Sequence, residues 1–202
     1  MQSSLSLTHF SASPYSCCMR RAAKQIHDES TMISVLDAVH VGHLGTVAPD
    51  GFPMVKPLNF AYRDRRIYFH SAREGEKIDH ILHDSRVCFE AAQPIAYIKG
   101  IVTDPCKAEY LYRSVIIRGR ARVVEDREEQ LTGLSTLMEK YQPEGGYGDF
   151  LQWKLDITAV VCIEIEEMIG KEDLGKGQLR EIALRLLADG VALPVILEHT
   201  GE

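Results

Sequence analysis

The sequence predicts a mainly β protein with peripheral helices (α+β), built on a six-stranded antiparallel sheet closed as a small barrel. Two observations predict this class. Short segments of alternating apolar and polar residues are separated by turn signals such as Pro49-Asp50-Gly51, where glycine accepts a positive φ. Between them lie stretches with the three- and four-residue spacing of amphipathic helices. Strands joined by tight turns favour an antiparallel sheet over β-α-β units.

Six segments carry the strand pattern: 43–48, 52–62, 66–71, 86–91, 110–124 and 157–166. The clearest is the fifth, in which an apolar set alternates with a polar one. The apolar set is Val115, Ile117, Gly119, Ala121 and Val123, and the other is Ser114, Ile116, Arg118, Arg120 and Arg122. Because strand side chains point to alternate faces, the first set is expected in the core. In the sixth, Ile157, Ala159, Val161, Ile163 and Ile165 are expected to face inward. Arg120 or Arg122 is expected to pair with Glu164 or Glu166.

Four helices are expected. The first covers about 31–41 after a Ser30 cap, the second 74–83, and the fourth 177–188. The third begins at Asp126, with Glu129 completing a capping-box pattern. Residues 93–109 contain two prolines and a glycine and are expected to form a long excursion, and 142–148 a loop.

Composition excludes several classes of function. The chain has 202 residues, 45% of them hydrophobic and 26% charged, which is ordinary for one globular domain with additions. Twenty-three lysines and arginines against 29 acidic residues give a net charge of −6, which argues against general nucleic-acid binding. An anionic ligand therefore needs a local cluster of cations. No apolar run approaches the length of a membrane span, so no membrane association is expected.

The chain is expected to divide into three parts. Residues 1–18 are rich in serine and carry no charge, so they are interpreted as an appended arm. Residues 19–170 are expected to form the barrel domain, and 171–202 a C-terminal helix and tail packed on it.

The cysteines and histidines give no sign of a metal site or a disulfide framework. The five cysteines are irregularly spaced, so a reducing cytoplasm is the expected location. Cys88 and Cys162 lie in apolar runs and are expected to be buried. His80 and His83 are one helical turn apart, but with no third ligand indicated they are interpreted as solvated helix residues.

One stretch concentrates candidate binding residues. Lys56 lies on a strand, His70 and Ser71 lie at a strand end, and Arg73 and Lys77 flank the start of a helix. A helix N-terminus with cations beside it is typical of a phosphate site. A single helix lysine is more often solvated, so the clustering of Ser71, Arg73 and Lys77 is what favours the binding interpretation.

Six motifs follow one another in a characteristic order: L-x-T-V-x-x-D-G-x-P from Leu44, P-L-N from Pro57, Y-F-H-S from Tyr68, G-x-K from Gly75, and S-V-x-x-x-G-x-A from Ser114, after the Arg-Arg pair at 20–21. Together they resemble the flavin-binding split-barrel superfamily of pyridoxamine 5′-phosphate oxidase, and within it the nitroimidazole-resistance branch. The resemblance runs from about Met19 to Ile165. It implies a split β-barrel.

The resemblance also implies FMN, with FAD as the alternative, at the interface of a homodimer. The residues it places along the isoalloxazine are Val55, Lys56, Pro57, Leu58 and Asn59. Those it places near the phosphate are Phe69, His70, Ser71 and Lys77. Arg73 is expected to replace a cation missing from Gly75-Glu76-Lys77, and the strand with Ser114 to contribute contacts from the same or the partner subunit.

The implied activity is that of an oxidoreductase reducing a small electrophile such as a nitro compound, with electrons from a small-molecule donor. The substrate signature at the C-terminus of the oxidase is not visible in this sequence, which argues against vitamin B6 oxidation. His70 is a candidate catalytic acid, and equally a packing residue or cofactor contact. Two alternatives stay open: a flavin-binding protein without turnover of its own, and a haem-binding split barrel in which His70 or another histidine binds iron.

Overall fold

The computed structural model describes residues 21–100, 104–190 and 194–197. The arm expected at 1–18 lies outside the described residues. The helices are α1 (Glu29–Ala38), α2 (Glu76–His83), α3 (Arg127–Tyr141), α4 (Gln152–Ile157) and α5 (Gln178–Ala188). The strands are β1 (Gln25–Ile26), β2 (Gly42–Val47), β3 (Pro53–Leu58), β4 (Ala61–Arg63), β5 (Arg66–Ala72), β6 (Arg86–Ile98), β7 (Glu109–Val123), β8 (Thr158–Asp173) and β9 (Val195–Leu197). Short 3-10 turns cover Ala22–Lys24 and Pro105–Lys107.

The described strands form a single sheet in the order β3-β2-β6-β7-β8-β5-β4, with β1 added to β8 and β9 to β6. Every pair is antiparallel except β6–β9. The mainly β, antiparallel class is confirmed. The strand number is nine and not six, because the expected strand 52–62 is two strands and because β1 and β9 were not anticipated.

The sheet is a barrel with a split. Its two edge strands, β3 and β4, are consecutive in the chain and are joined only by Asn59 and Phe60. Leu58 and Ala61 can therefore be no more than about 11 Å apart. The sheet must curl until its edges approach each other. No ladder joins β3 to β4 or β5 among the described residues, so the barrel is not closed by hydrogen bonds.

The core lies on the inner face of this curled sheet. It contains the alternating apolar residues of five strands, including Leu44, Phe69, Phe89, Ile117 and Ile163. Helices α1 and α2 cover this core and contribute Leu36, Ile78 and Ile81 to it. The alternation expected along β7 is confirmed, since Val115 and Ile117 are buried while Arg118 and Arg120 are exposed.

Helix α3 packs on the outer face of β5 and β8. Tyr68, Val160 and Cys162 are buried beneath it, in a cluster with Leu134. Gly133 permits this close approach, because a Cβ at that position would lie 2.9 Å from the Tyr68 ring. The expected capping of α3 by Asp126 is confirmed, with its carboxylate accepting a hydrogen bond from the Glu129 amide at 2.8 Å.

Several expected boundaries were wrong for local reasons. Asp28, not Ser30, caps α1, since its carboxylate accepts from the Thr31 amide at 2.8 Å. The first part of the expected excursion is strand, because β6 continues through Pro94 to Ile98 and accommodates the proline at a β-bulge. Ile157 ends α4 and is exposed, so it does not belong to the inward-facing set.

The C-terminal part packs at the far end of β6 and β7. Helix α5 and β9 cover a second cluster formed by Ile95, Ile98, Leu111, Leu174 and Ala183. Within the described ranges, no helix combines the length and hydropathy needed to cross a bilayer.

Candidate functional site

The split in the barrel exposes two strand edges to each other. Among the described strands, β3 pairs only with β2, and no other described strand covers its second edge. β4 covers β5 only as far as Tyr68, and no described strand pairs with that side of Phe69–Ala72. Open edges offer backbone N–H and C=O groups to a ligand. The two predicted cofactor segments, Val55–Asn59 and Phe69–Ser71, lie on these two edges.

Two lysines lie at the inner side of the split. The Lys77 ammonium is 5.1 Å from the centre of the Phe69 ring. Lys56 shares the inner face with Leu44, its partner on β2, and forms an ion pair with Glu76. Burial lowers the pKa of Lys77, and the positive charge of Lys56 lowers it further. The structure therefore brings Lys56 and Lys77 close enough to repel each other.

Glu76 partly offsets this positive charge. Its hydrogen bond with Lys56 lowers the pKa of its carboxyl group, so it is ionised at neutral pH. Lys56 is paired with Glu76, whereas Lys77 forms no ion pair with a described residue; Asp79 is the other acidic residue in the first turn of α2. Gly75 precedes that turn at φ 122° and has no side chain to cap it.

His80 is part of the packing around this region. It is buried, and its Nδ1 atom lies 3.0 Å from the Thr46 hydroxyl. The expectation of a solvated histidine at position 80 was wrong, because α2 turns that face toward β2. His83 is exposed.

Arg73 lies apart from the two lysines. It lines a cleft of about 390 Å³ with Glu125, Arg127 and Gln130. Its charge contributes to lowering the pKa of Asp156, whose main cause is the hydrogen bond from Arg127. The structure thus separates Arg73 from Lys77, although both flank the start of α2.

His70 and Asn59 line a different cavity, on the outer side of the split. Phe69 points into the core, so His70 points the other way, as the alternation of β5 requires. The cavity has a volume of about 420 Å³ and is called the helix cleft below. Its lining comprises Asn59, His70, Leu134, Leu137, Met138, Tyr141, Phe150, Lys154, Leu155 and Thr158.

Within one subunit, β6 and β2 lie between Ser114 and the β3 edge of the split, and a long stretch of β8 separates Ser114 from the β5 edge. Ser71 pairs with Ala159 on β8, whereas Ser114 pairs with Lys171 on the same strand. This separation corresponds to roughly 40 Å of strand. Ser114 is half-buried on the outer face of the sheet.

Two residues that sequence reasoning missed fix the shape of the split. The Lys140 ammonium donates to the carbonyls of Leu36 and Val39 at 2.7 Å, and lies 3.7 Å from the centre of the Phe60 ring. The Tyr141 hydroxyl donates to the His40 carbonyl at 2.5 Å and accepts from the Phe60 amide at 3.0 Å.

Together they fasten the end of α3 to the junction between β3 and β4. Burial lowers the pKa of Lys140 to about 8. A lysine and a tyrosine are common at the end of a helix, so no sequence pattern predicted that these two residues fasten α3 to the junction.

The arginines of β7 form a ladder of ion pairs with β8. Arg118, Arg120 and Arg122 face Glu167, Glu166 and Glu164 at 3.7, 2.7 and 3.2 Å. The expected pairing is therefore confirmed. Arg122 also binds Glu129 of α3 at 2.7 Å, which raises the pKa of Arg122 and lowers that of Glu129.

Two of the described cysteines differ in their exposure. Cys162 is buried, as expected, and burial raises the pKa of its thiol to about 11. Cys88 is exposed, contrary to expectation, because it lies on the outer face between the inward-facing Val87 and Phe89. In the described part of the chain, no cluster of three or more potential metal ligands occurs.

Comparison with protein families identifies the fold. Residues 28–172 match the family described as pyridoxamine 5′-phosphate oxidase, over most of the chain. The chain belongs to this family. The matched region contains the split, α2 and the whole β7–β8 ladder. The superfamily resemblance drawn from the sequence motifs is confirmed.

Solved structures agree with this assignment. A protein from Bacteroides thetaiotaomicron described as a putative 5-nitroimidazole antibiotic resistance protein is 24% identical, covers 73% of this chain and 86% of its own, and has a TM-score of 0.63. A flavocytochrome from Azotobacter vinelandii is 21% identical over 81% and 77%, with a TM-score of 0.68. An FAD- and haem-binding protein from Mycobacterium smegmatis is 14% identical over 80% and 79%, with a TM-score of 0.66. At these identities the likeness shows the fold. No curated protein matches the sequence.

Proposed function

We propose that the protein binds FMN at the split and is an oxidoreductase that reduces a small electrophile such as a nitro compound. The observation that carries the proposal is the pair of lysines, Lys56 and Lys77, between two open strand edges. Solved structures of the same fold include proteins described as binding flavin.

The phosphate of FMN suits the positive charges of Lys56 and Lys77 at the split. Lys56 and Lys77 repel each other, and a phosphate between them would relieve that repulsion. The uncapped first turn of α2 adds free N–H groups on the same side. Glu76 opposes binding, because its carboxylate occupies Lys56 and would have to give way to the phosphate.

The ring of FMN fits the strand edge. Val55 is 64% exposed on the edge strand and offers an apolar surface beside backbone hydrogen-bonding groups. Bound FMN supplies reversible hydride chemistry. On the outer side, the His70 side chain has no hydrogen-bond partner among the described residues, so its imidazole is available to contact a ligand.

We further propose a homodimer. In one chain Ser114 is roughly 40 Å of strand from Ser71, and β6 and β2 lie between it and β3, so we infer that its implied contact with the cofactor comes from a second subunit. A symmetric dimer would bring the outer face of β7 of one subunit to the split of the other. Light scattering of flavin-loaded protein tests this, and a monomer with stoichiometric flavin would contradict it.

The identity of the cofactor is tested on the purified protein. We expect a flavin absorption spectrum and, after denaturation, a released compound with the mass of FMN. Release of FAD would keep the flavin proposal and change the nucleotide. A folded protein that binds no added flavin would refute the proposal.

Turnover separates an enzyme from a flavin-binding protein. Reoxidation of reduced flavin by a nitroaromatic should be faster in the protein than in free solution. For His70→Asn we expect that rate to fall by about 10²-fold or more at saturating flavin, with little change in flavin affinity. Lost affinity with an unchanged rate would make His70 a cofactor contact.

Haem binding is a second candidate, favoured by one specific feature. His70 and Met138, both potential iron ligands, line the same apolar helix cleft, and two proteins of this fold are described as a flavocytochrome and a haem-binding protein. An intense Soret band after haem addition, lost in His70→Ala, would support it. Its absence removes this candidate.

A further inference from the structure

The helix cleft has a composition suited to a small flat molecule. Its walls are side chains of α3 and α4, chiefly Leu134, Leu137, Met138, Phe150 and Leu155. Its volume of about 420 Å³ lies within the range of small-molecule sites. Such walls favour an aromatic or similarly apolar ring.

The polar groups of the cleft differ in their availability. The Tyr141 hydroxyl is occupied by His40 and Phe60, and the Asn59 amide donates to the His40 carbonyl at 3.3 Å. Lys154 has no ion-pair or hydrogen-bond partner for its ammonium in the described chain; that group lies 4.2 Å from the centre of the Trp153 ring. His70 is likewise without a partner there. The side chains of Lys154 and His70 are therefore available as hydrogen-bond donors, which favours a ligand that carries hydrogen-bond acceptors.

The charges of the residues that line the helix cleft further limit the class of ligand. The cleft is lined by a lysine and a histidine and by no aspartate or glutamate. The nearby carboxylate on α4, Asp156, is already bound by Arg127 at 2.7 Å and by Gln152 at 2.9 Å. Although the chain has a net charge of −6, the described lining of this cleft has an ammonium group and no carboxylate.

We propose that the helix cleft binds a small aromatic carboxylate, with the ring between α3 and α4 and the carboxylate at Lys154. The inference deepens the proposed function and rests on it only in one respect: a ligand of this class that also carries a nitro group would be the electron acceptor. Reduced FMN would supply two electrons, and with two protons the nitro group would become a nitroso group and water; His70 lines the cleft at the edge of β5. Binding itself does not require flavin, so it can be measured alone.

The test is isothermal titration of the full-length protein with 2-naphthoate and with its neutral analogue 2-naphthamide, with and without FMN. We expect naphthoate to bind more tightly than the amide. Lys154→Gln should weaken naphthoate roughly tenfold and leave the amide unchanged. The matched control is Lys171→Gln, because Lys171 also lies over an aromatic ring, that of Tyr112 at 5.2 Å, but outside the cleft.

A second variant tests the location. Met138→Trp should fill the cleft and abolish binding of both probes, with folding checked by circular dichroism. Equal binding of the two probes, or naphthoate binding insensitive to both variants, would overturn the proposal. So would competition between FMN and naphthoate, which would make the cleft part of the flavin site. If naphthoate binds as expected and FMN does not bind, the proposed function fails and this inference stands without its redox role.

Discussion

The protein carries two groups of cations whose surroundings differ. On the β7–β8 ladder, Arg118, Arg120 and Arg122 each face a glutamate on the adjoining strand. At the split, Lys56 is paired with Glu76, whereas Lys77 forms no ion pair with a described residue and lies near Lys56. Opposite charges that pair across two strands stabilise the sheet or an interface. Charges of one sign that lack enough partners favour a ligand of the opposite charge. The comparison therefore favours the split over the ladder as the proposed site of an anion.

This contrast also changes the argument for the dimer. From the sequence, the arginine-rich face of β7 suggests an interface that holds an anionic ligand. In the structure that face is close to neutral, because glutamates of β8 interleave with the arginines. A neutral, polar face is compatible with self-association, but it supplies no charge for a phosphate.

The largest effect on stability is expected from a substitution that disturbs the backbone of the β7–β8 ladder. Gly119 lies at the β7–β8 bulge, and a Cβ there would be 2.3 Å from the Glu164 carbonyl oxygen. Because that atom is backbone, Gly119→Ala should lower the free energy of unfolding by about 1–3 kcal/mol. Chemical denaturation measures this. Gly148→Ala is the control, since nothing lies within 4 Å of its Cβ position. Equal effects of the two would contradict the steric account.

Half-buried strands were the most predictable parts of this fold. In β7, alternation between apolar residues and arginines reports a sheet with one face in the core and one exposed. The same rule, applied to Val87-Cys88-Phe89, would have placed Cys88 outside. Pro94 concealed the second half of β6, because a bulge accommodates a residue that ordinarily interrupts a strand.

Individual residues of the candidate site could be predicted from the sequence, but which of them lie close together could not. Lys56 and Lys77 come together because α2 folds back toward β3, while Arg73, four residues before Lys77, is directed to another cleft. Tertiary packing decides the direction in which each side chain near the start of a helix points. The break at Asn59 and Phe60, which creates the split, is fixed by hydrogen bonds from Tyr141, far away in sequence.

A pH effect should distinguish the split from the ladder. Lys140, which fastens the split, has a pKa of about 8 in the folded protein and 10.5 as its ordinary value. Folding therefore releases a proton between these values, and this group makes stability rise as pH increases from about 8 to 10.5. Relative to Lys140→Met, the wild type should gain unfolding free energy across this window. A difference independent of pH would contradict it.

A smaller effect should sharpen the charge argument at the split. Glu76→Gln frees Lys56 from its ion pair, so FMN affinity should rise about three- to fivefold. Glu74→Gln is the matched control, because it removes the same charge nearby without touching Lys56. If both variants raise FMN affinity equally, only the general electrostatic field is involved.

The smallest effect is expected on the ladder itself. Arg120 and Glu166 are both more than half exposed, so Arg120→Gln should cost less than about 1 kcal/mol of unfolding free energy. At constant dimer content, FMN affinity should be unchanged. A large loss of FMN affinity, measured by fluorescence titration at constant dimer content, would place the phosphate on the ladder after all.

The central claim is tested most directly by titrating FMN and riboflavin into the wild type and Lys77→Met. The account predicts that the wild type binds FMN more tightly than riboflavin, because only FMN carries the phosphate. Lys77→Met should weaken FMN roughly 10- to 150-fold and leave riboflavin nearly unchanged. Equal affinities of the wild type for both ligands, or equal losses of both in the variant, would contradict a phosphate site at the split.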